Sequence, residues 1–168
     1  SDINIHEVLE RVRQIILAEF PKGLSFIRDY DVSVPTLRGD REQLLQVFLN
    51  IEKNAAEALD GKIAEGTAEI RVITRVAQQV QIGLRRYRLA LSIHIQDNGP
   101  GVPPEIRDRI FYPLVTGKAN GSGLGLSLAQ NFIRQHDGSI DVESEPGKTD
   151  FRILLPLSPP ETGDISPA

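Results

Sequence analysis

Three residue types are absent from the 168-residue sequence: cysteine, methionine and tryptophan. Without cysteine, the chain can form no disulfide bond, no thiolate nucleophile and no zinc site with cysteine ligands. The same absence is typical of proteins in a reducing compartment. Position 1 is Ser1, not methionine, and we therefore expect the chain to be a piece of a longer protein.

Long apolar runs and an excess of basic charge are absent too. No run approaches the roughly 20 apolar residues that a membrane-spanning helix needs, so we predict no association with a membrane. The 19 Lys and Arg are outnumbered by 23 Asp and Glu, and the net charge is −4. Sequence-independent nucleic-acid binding needs a dense basic surface. We therefore predict that nucleic acid is not a partner.

The length and composition are those of one globular domain. A chain of 168 residues with 40% hydrophobic and 25% charged residues can bury a sizeable core. After Leu157 the chain consists mainly of proline, glycine, serine and acidic residues, which cannot build a core. We predict a folded domain over residues 1–157 and a disordered tail over residues 158–168.

Hydrophobic periodicity predicts the order of the elements. A helical period marks residues 5–20, 40–59 and 124–136. Alternation marks strands at residues 24–30, 70–76, 89–95, 140–144 and 149–155, with a hairpin end over residues 78–86. Residues 34–39 and 61–66 are interpreted as a connector and a turn, and residues 112–122 as a mobile loop. These elements predict an α+β fold, a two-layer α/β sandwich with a mixed, mostly antiparallel sheet covered on one face by three helices.

One candidate site lies on the second predicted helix. At about 100° per residue, Asn50, Asn54 and Glu57 form a stripe that flanks the apolar face and could line a cleft. An Asn carboxamide offers a neutral oxygen suited to Mg²⁺ that also keeps waters and phosphate oxygens. Two Asn four residues apart are equally typical of a solvated helix flank, and this stripe alone favours that simpler interpretation.

A second candidate follows a hydrophobic strand, in the segment Asp97-Asn98-Gly99-Pro100-Gly101-Val102. A carboxylate at the end of a strand can accept a hydrogen bond from an amino group such as that of adenine. Gly99 and Gly101 allow the backbone to approach a flat ring closely, because no Cβ intervenes. Asn-Gly is also common in simple turns, although six residues of this kind in this order are more specific than a turn.

The third candidate is the glycine-rich segment that leads into the third predicted helix. Gly121, Gly123 and Gly125 supply bare amides at a helix N-terminus, which is an anion-binding position. Lys118 adds a positive charge next to them. A flexible loop before a helix explains any one of these glycines, but it explains three at alternate positions less well.

Together the three segments resemble the N, G1 and G2 boxes of the histidine-kinase catalytic domain. This domain belongs to the superfamily of gyrase, heat-shock-90, histidine-kinase and mismatch-repair ATPases. The F box is resembled by Phe111-Tyr112-Pro113-Leu114-Val115, and the last conserved block by residues 138–156. The similarity covers about residues 2–157 and implies a Bergerat-type ATP-binding fold. Within the family, the chain resembles the nitrogen-regulation sensor kinases most at Tyr30-Asp31, Asn54-Ala55 with Ala58, residues 87–90 and Phe111-Tyr112-Pro113.

The resemblance implies that the domain binds ATP and Mg²⁺. In the catalytic machinery, Asn54 would ligate Mg²⁺, Asn50 would support the phosphate side and Lys118 would contact the terminal phosphates. Asp97 would bind the adenine amino group, and we expect Asp97→Ala to abolish nucleotide binding while leaving the fold intact. The other implied nucleotide-binding residues are Gly99, Gly101, Thr116, Gly121, Ser122, Gly123, Leu124, Gly125 and, through a water molecule, Thr149.

Position 50 favours phosphotransfer over hydrolysis. Members of the superfamily that hydrolyse ATP carry Glu one turn before the Mg²⁺-binding Asn, whereas Asn50 cannot act as a base at neutral pH. The site is suited to holding ATP while another group attacks the γ-phosphate. Three residues depart from the family pattern: Glu57 replaces a frequent Lys, Glu52 an aliphatic residue, and Lys148 the usual glycine before Thr149.

The resemblance also implies partners and a location. The phosphoacceptor His would lie in a separate dimerisation domain, so we expect this chain to bind ATP without phosphorylating itself. A response regulator of the NtrC type would receive the phosphate, a PII signal protein would modulate the kinase, and the protein would be cytoplasmic. The alternative is a nucleotide- or PII-responsive binding module with little kinase activity. A gyrase-like ATPase is a third interpretation, against which Asn50 argues.

Overall fold

A computed structural model describes residues 1–112 and 123–162 of the chain. The helices within these residues are α1 (Ile5–Glu19), α2 (Arg41–Ala58), α3 (Asp60–Glu65), α4 (Pro104–Arg107) and α5 (Gly123–Gln135). The strands are β1 (Asp2–Ile3), β2 (Leu24–Asp29), β3 (Leu37–Arg38), β4 (Ala68–Ile82), β5 (Arg85–Asp97), β6 (Ser139–Glu145) and β7 (Lys148–Pro156). None of the helices in this part of the chain is long and apolar enough to cross a membrane.

The main sheet has the strand order β2-β4-β5-β7-β6. β2 runs parallel to β4, and the other neighbouring pairs are antiparallel. Alternate residues of β5, namely Leu91, Ile93 and Ile95, are buried in one core with the apolar faces of α1, α2 and α5. The predicted two-layer sandwich with a mixed, mostly antiparallel sheet is therefore confirmed.

The central element of the helical layer is α2, which contacts α1, α5 and the sheet. Its N-cap is Asp40, whose side chain accepts a hydrogen bond from the Gln43 amide at 3.1 Å. The stripe predicted from periodicity is buried, with Leu44, Phe48 and Ile51 fully inaccessible. Each such side chain contributes about 1.5–3 kcal/mol through its burial. These contacts fix the position of α2, on which the Asn50 and Asn54 side chains depend.

Glu52 interrupts this apolar stripe. Its side chain is completely buried, and neither carboxylate oxygen has a hydrogen-bond partner. Burial raises the pKa of the Glu52 carboxyl well above its ordinary value, and the negative charge of Glu10 on α1 raises it further. A buried polar group without a partner costs free energy, so Glu52 destabilises the fold.

Two short segments differ from the prediction. Residues 61–66, predicted as a turn, belong mostly to α3, because Gly61 lies in the first helical turn and Gly66, at φ +77°, ends the helix. The predicted connector 34–39 contains β3, which pairs with β1 in a two-stranded sheet. Both differences involve pairing or packing partners that local periodicity does not encode.

The structure also shows contacts beyond the predicted domain boundary at residue 157. The Ser158 hydroxyl accepts a hydrogen bond from the Leu89 amide at 3.1 Å, and Pro160 forms a bridge with Tyr87. The first residues of the predicted tail therefore lie against β5, whose backbone provides their partners. For residues 163–168, which are outside the described part, disorder stays a prediction.

Candidate functional site

The carboxylate of Asp97 is held in a defined orientation at the end of β5. Asp97 is 7% exposed, and its Oδ1 accepts a hydrogen bond from the Gly99 amide at 2.9 Å. Gly99 in turn lies against the end of α2, since a Cβ on this residue would be 3.7 Å from the carbonyl oxygen of Ala58. The strand end predicted to bind adenine therefore adjoins the C-terminal turn of α2.

Thr149 lies beside Asp97, as the predicted shared role requires. The two residues are directly opposite each other in the antiparallel pairing of β5 with β7. Thr149 is 5% exposed, and its hydroxyl oxygen is 3.3 Å from the Ser144 hydroxyl oxygen. Residues opposite each other on neighbouring strands have adjacent side chains on one face of the sheet. The register thus brings a hydroxyl next to the carboxylate.

The loop after Asp97 is tied to the hairpin formed by β6 and β7. Gly101 has φ +89°, and a Cβ there would lie 2.8 Å from the Glu145 carbonyl oxygen. The Ser144 hydroxyl accepts a hydrogen bond from the Val102 amide at 2.6 Å, and the Gly147 amide donates to the Gly99 carbonyl at 2.9 Å. Gly101 is therefore required by its backbone conformation and by β6, in addition to the predicted approach to a ring.

Asn50 connects α2 with the N-terminal turn of α5. Its Nδ2 donates to the Gly125 carbonyl oxygen at 3.0 Å, and its Oδ1 accepts from Gln46 Nε2 at 2.6 Å. A Cβ on Gly125 would make an ordinary contact with Asn50, 3.7 Å from its Cβ. In this structure both polar atoms of the Asn50 carboxamide are engaged, and the side chain holds the start of α5 in place.

Asn54 lies on the same stripe of α2, one turn after Asn50 and one turn before Ala58. The Asn50 contact with Gly125 and the Ala58 contact with Gly99 are eight residues apart, or about 12 Å along the helix axis. Asn54 and Glu57 are half-buried, and each takes part in an interaction. The stripe therefore connects the carboxylate of Asp97 with the start of α5.

The chemistry of this donor set fits Mg²⁺ bound together with a nucleotide. Within residues 1–112 and 123–162, no group of three or more acidic or imidazole side chains could hold a metal ion by itself. Mg²⁺ in phosphate-transfer sites keeps several waters and takes one or two protein oxygens plus phosphate oxygens. A single carboxamide such as that of Asn54 meets this requirement.

Several predicted site residues lie outside the described part of the chain: Thr116, Lys118, Gly121 and Ser122. Gly123 and Leu124 form the first residues of α5, so their amides are among the N–H groups that have no partner within the helix itself. In the predicted F box, Phe111 packs edge-on against Phe151 at a centroid distance of 6.2 Å, and Tyr112 is 60% exposed.

Sequence reasoning missed Ser144 and the anchoring role of Asn98. Asn98 Oδ1 accepts from the Glu69 amide and its Nδ2 donates to the Thr67 carbonyl, each at 2.8 Å, so its side chain joins the loop to β4. A signal for Ser144 was available, because the two-residue turn at Pro146-Gly147 places it opposite Thr149. No local signal indicated the partners of Asn98.

The glycine of the last conserved block is displaced by one residue. Gly147, with φ +89°, occupies the turn, and Lys148 begins β7 with an exposed side chain. The backbone conformation that needs glycine is therefore satisfied at position 147, and Lys148 leaves the Thr149 contact intact.

The sequence of residues 39–159 matches the family described as histidine kinase-, DNA gyrase B-, and HSP90-like ATPase. The sensory histidine kinase/phosphatase NtrB of Vibrio alginolyticus is 46% identical over 154 residues, covering 92% of this chain and 43% of the relative. NtrB of Salmonella typhimurium is 49% identical over the same shares. The chain therefore spans less than half the length of these curated relatives.

Solved structures confirm the fold. The mycobacterial sensor histidine kinase MprB matches with a TM-score of 0.73 at 24% identity, over 95% of this chain and 99% of that one. The nucleotide-free catalytic domain of the histidine kinase ThkA matches with a TM-score of 0.75 at 23% identity, over 95% and 96%. With the family match over residues 39–159 and these folds, the chain belongs to the histidine kinase-, DNA gyrase B-, and HSP90-like ATPase family.

Proposed function

We propose that the chain is the ATP-binding catalytic domain of a two-component sensor histidine kinase. It transfers the γ-phosphate of ATP to a His on a separate dimerisation domain, in the control of nitrogen metabolism. The main support is geometric, because α2 connects the oriented carboxylate of Asp97 with the start of α5. The NtrB relatives, at 46% and 49% identity, support the assignment to nitrogen regulation.

At one end of the site, Asp97 selects the base. The Gly99 amide orients the Asp97 carboxylate, and a carboxylate accepts a hydrogen bond from an amino group such as that of adenine. Thr149, directly across the strand pair, holds a water against the same ring. Both groups sit on a rigid sheet, which preserves their orientation when the nucleotide binds.

At the other end, α5 and Asn54 hold the phosphates. The first amides of α5 point toward the phosphates, and the Asn50 contact with Gly125 keeps that helix start in position. Asn54 supplies the carboxamide oxygen for Mg²⁺, which neutralises phosphate charge when bound. Gly121, Ser122, Thr116 and Lys118 are proposed to complete this end from the segment before α5.

The chemistry at position 50 supports transfer to an external acceptor. A carboxamide has no basic atom at neutral pH, and both polar atoms of Asn50 are already engaged. Activation of water for hydrolysis therefore has no residue to perform it at this position. The chain itself binds and orients ATP, and the attacking His comes from the other domain.

The partners follow from this role. The relatives are sensory histidine kinase/phosphatases, and the histidine kinase ThkA has been solved in complex with the response regulator TrrA. For this chain we propose a dimerisation and phosphoacceptor domain of the same protein, a response regulator of the NtrC type and a PII signal protein. A cytoplasmic location agrees with these partners.

Phosphotransfer in trans tests the proposal. When the chain is mixed with γ-labelled ATP and the separately expressed dimerisation domain of the full-length protein, the label is expected on the His of that domain. The chain alone should acquire no stable label. Both species are followed by gel autoradiography over time, with the Asp97→Asn chain as the inactive control.

Each alternative outcome has a separate meaning. Saturable ATP binding without transfer would favour the nucleotide- or PII-responsive binding module. Steady release of inorganic phosphate without an acceptor would favour a gyrase-like ATPase. A stable phosphorylated species on the chain alone would contradict the assignment of the acceptor His to another domain.

The metal role of Asn54 gives a second test. Asn54→Ala should lower the affinity for ATP in the presence of Mg²⁺ by about tenfold, because a metal ligand is lost. In EDTA the variant and the wild type should bind ATP equally. Titration calorimetry under both conditions measures the difference. Lys53→Ala, an exposed neighbour on α2, serves as the control, and equal Mg²⁺ dependence in Asn54→Ala would remove Asn54 from the metal site.

A further inference from the structure

His136, just after the C-terminus of α5, is bound between two backbone groups. Its Nδ1 is 2.8 Å from the Phe132 carbonyl oxygen, and its Nε2 is 3.0 Å from the Asp40 amide nitrogen. A carbonyl can only accept and an amide N–H can only donate. In this arrangement Nδ1 of the ring donates to the carbonyl, and Nε2 accepts from the amide.

This contact completes the N-terminal cap of α2 from another helix. Asp40 and Gln43 have the spacing of a capping box, in which Gln43 would bond back to the Asp40 amide. The first half of the box is present, since Asp40 Oδ1 accepts from the Gln43 amide. In the second half, Gln43 Nε2 instead donates to Gln135 Oε1 at 3.0 Å, and the Asp40 amide bonds to His136.

Gly39 provides the space for the ring. A Cβ at this position would lie 2.7 Å from both Cδ2 and Nε2 of His136, closer than any real contact. The local backbone has no positive φ at Gly39, so its conformation does not itself need glycine. The imidazole therefore occupies space that is open only because residue 39 has no side chain.

Polar contacts among the described residues therefore join α2 and α5, which run antiparallel. They link Asp40 with His136, Gln43 with Gln135, and Asn50 with Gly125. His136 and Gly125 are 11 residues apart, or about 16 Å along α5. Contacts at both ends restrict the sliding and tilting of α5 along α2, and loss of the contact at one end removes one restraint on the other.

We propose that His136 is a positioning residue for the phosphate end of the nucleotide site. By fixing the C-terminus of α5 on the cap of α2, it sets the place of the Gly123–Gly125 amides relative to Asn50 and Asn54. The base-binding end at Asp97 and Thr149 lies on the sheet and does not depend on this contact. The inference rests on the proposed binding of ATP at this site.

The test compares two ligands and four variants of the whole chain. His136→Leu removes the acceptor, His136→Gln supplies a carboxamide oxygen in its place, and Gly39→Ala pushes the ring away without removing it. His94→Leu is the control, since His94 lies 3.0 Å from Asp150 on β7 and alternates along β5 with Ile93 and Ile95, whose side chains face the helices. Affinities for Mg-ATP and for adenosine are measured by calorimetry and by NMR titration.

We expect a selective loss at the phosphate end. His136→Leu and Gly39→Ala should lower the affinity for Mg-ATP by about three- to tenfold, the range that one lost hydrogen bond explains. Their affinities for adenosine should stay within about twofold of the wild type. His136→Gln should restore Mg-ATP binding, and His94→Leu should bind both ligands as the wild type does.

Other results overturn the inference. An equal loss of affinity for Mg-ATP and for adenosine would mean that His136 supports only the general fold. An equal loss of Mg-ATP affinity in His136→Leu and His136→Gln would mean the same. Unchanged Mg-ATP affinity in both His136→Leu and Gly39→Ala would exclude a positioning role. Failure of the wild-type chain to bind Mg-ATP would instead contradict the proposed function itself, so the two failures are distinguishable.

Discussion

Asp97→Asn is expected to lower the affinity of the chain for Mg-ATP by about a hundredfold with little change in stability. The Asn oxygen can still accept the Gly99 amide, so the bond that orients the side chain is retained. The other side-chain atom changes from a carboxylate oxygen to an amide nitrogen. This nitrogen can only donate, as can the amino group of adenine that it would face. Loss of a hydrogen bond to a charged group costs about 1.5–3 kcal/mol. Calorimetric titration measures the affinity, and thermal unfolding the stability.

Binding of GTP makes this test specific. Guanine carries a carbonyl oxygen where adenine has its amino group, so the new amide nitrogen matches it better. The preference of the wild type for ATP over GTP should therefore shrink in Asp97→Asn. Asp141→Asn, the same change at an exposed position of β6, is the control. Unchanged ATP affinity in Asp97→Asn would show that the base binds elsewhere.

The structure also explains why Asp97→Ala is a poorer test than the sequence indicates. Asp97 is 7% exposed and satisfies the buried amide of Gly99. Alanine would leave that amide without a partner, at a cost of about 1–3 kcal/mol. We therefore expect Asp97→Ala to destabilise the turn as well, because the carboxylate is part of that turn.

Glu52→Val is expected to stabilise the chain by about 1–2 kcal/mol at neutral pH. The side chain of Glu52 is fully buried and both of its oxygens lack hydrogen-bond partners, so an apolar side chain of similar volume removes an uncompensated cost. Part of the gain is lost to the lower helix propensity of valine. Thermal unfolding should show a melting temperature about 3–6 °C higher. Glu42→Val, exposed in the first turn of α2, should give no gain.

The stabilisation by Glu52→Val should increase as the pH rises. Burial raises the pKa of Glu52 above its ordinary value of 4.5, so the folded chain holds this proton more tightly than the unfolded chain. Protonation of Glu52 stabilises the folded chain relative to its ionised form. This contribution is complete below pH 4.5 and is lost as the pH rises toward the raised pKa of Glu52 in the folded chain. The advantage of Glu52→Val over the wild type should therefore increase between pH 4.5 and neutral pH.

Glu52 destabilises the chain because a polar group is buried without a partner and because that group ionises as the pH rises. Glu52→Gln separates these two causes. The amide cannot titrate, so its free energy of unfolding should match that of the wild type near pH 4.5 and exceed it at neutral pH. Urea unfolding at several pH values gives the comparison, in which the other acidic groups cancel. A wild-type chain whose stability relative to Glu52→Gln does not change with pH would show that Glu52 is solvated.

Local patterns in the sequence predicted most of the fold. The helical stripe of α2, the alternation in β4 and β5, and the two strands predicted over residues 140–144 and 149–155 depend on neighbouring residues only, and the structure confirms them. The same patterns placed Asn50, Asn54 and Asp97 beside apolar faces. These are properties of period and turn type, which the order of residues encodes directly.

Pairings across long separations could not be predicted in this way. Asn50 bonds to a residue 75 positions away, and His136 to one 96 positions away. Asn98 bonds to Glu69 on β4 and to Thr67 just before it. β1 and β3 are too short to carry a period, and their pairing was missed. Such contacts depend on how the elements pack, and the sequence shows only that the residues are capable of them.

The amino-acid order by itself determined the helices and strands, the family resemblance and the candidate residues at both ends of the nucleotide site. Only the tertiary structure decided that Thr149 faces Asp97, that Asn50 holds α5, and that Glu52 is buried without a partner. The physical reason is that periodicity reports which face of an element is apolar. The burial and the partners of a polar side chain depend on the elements that cover that face.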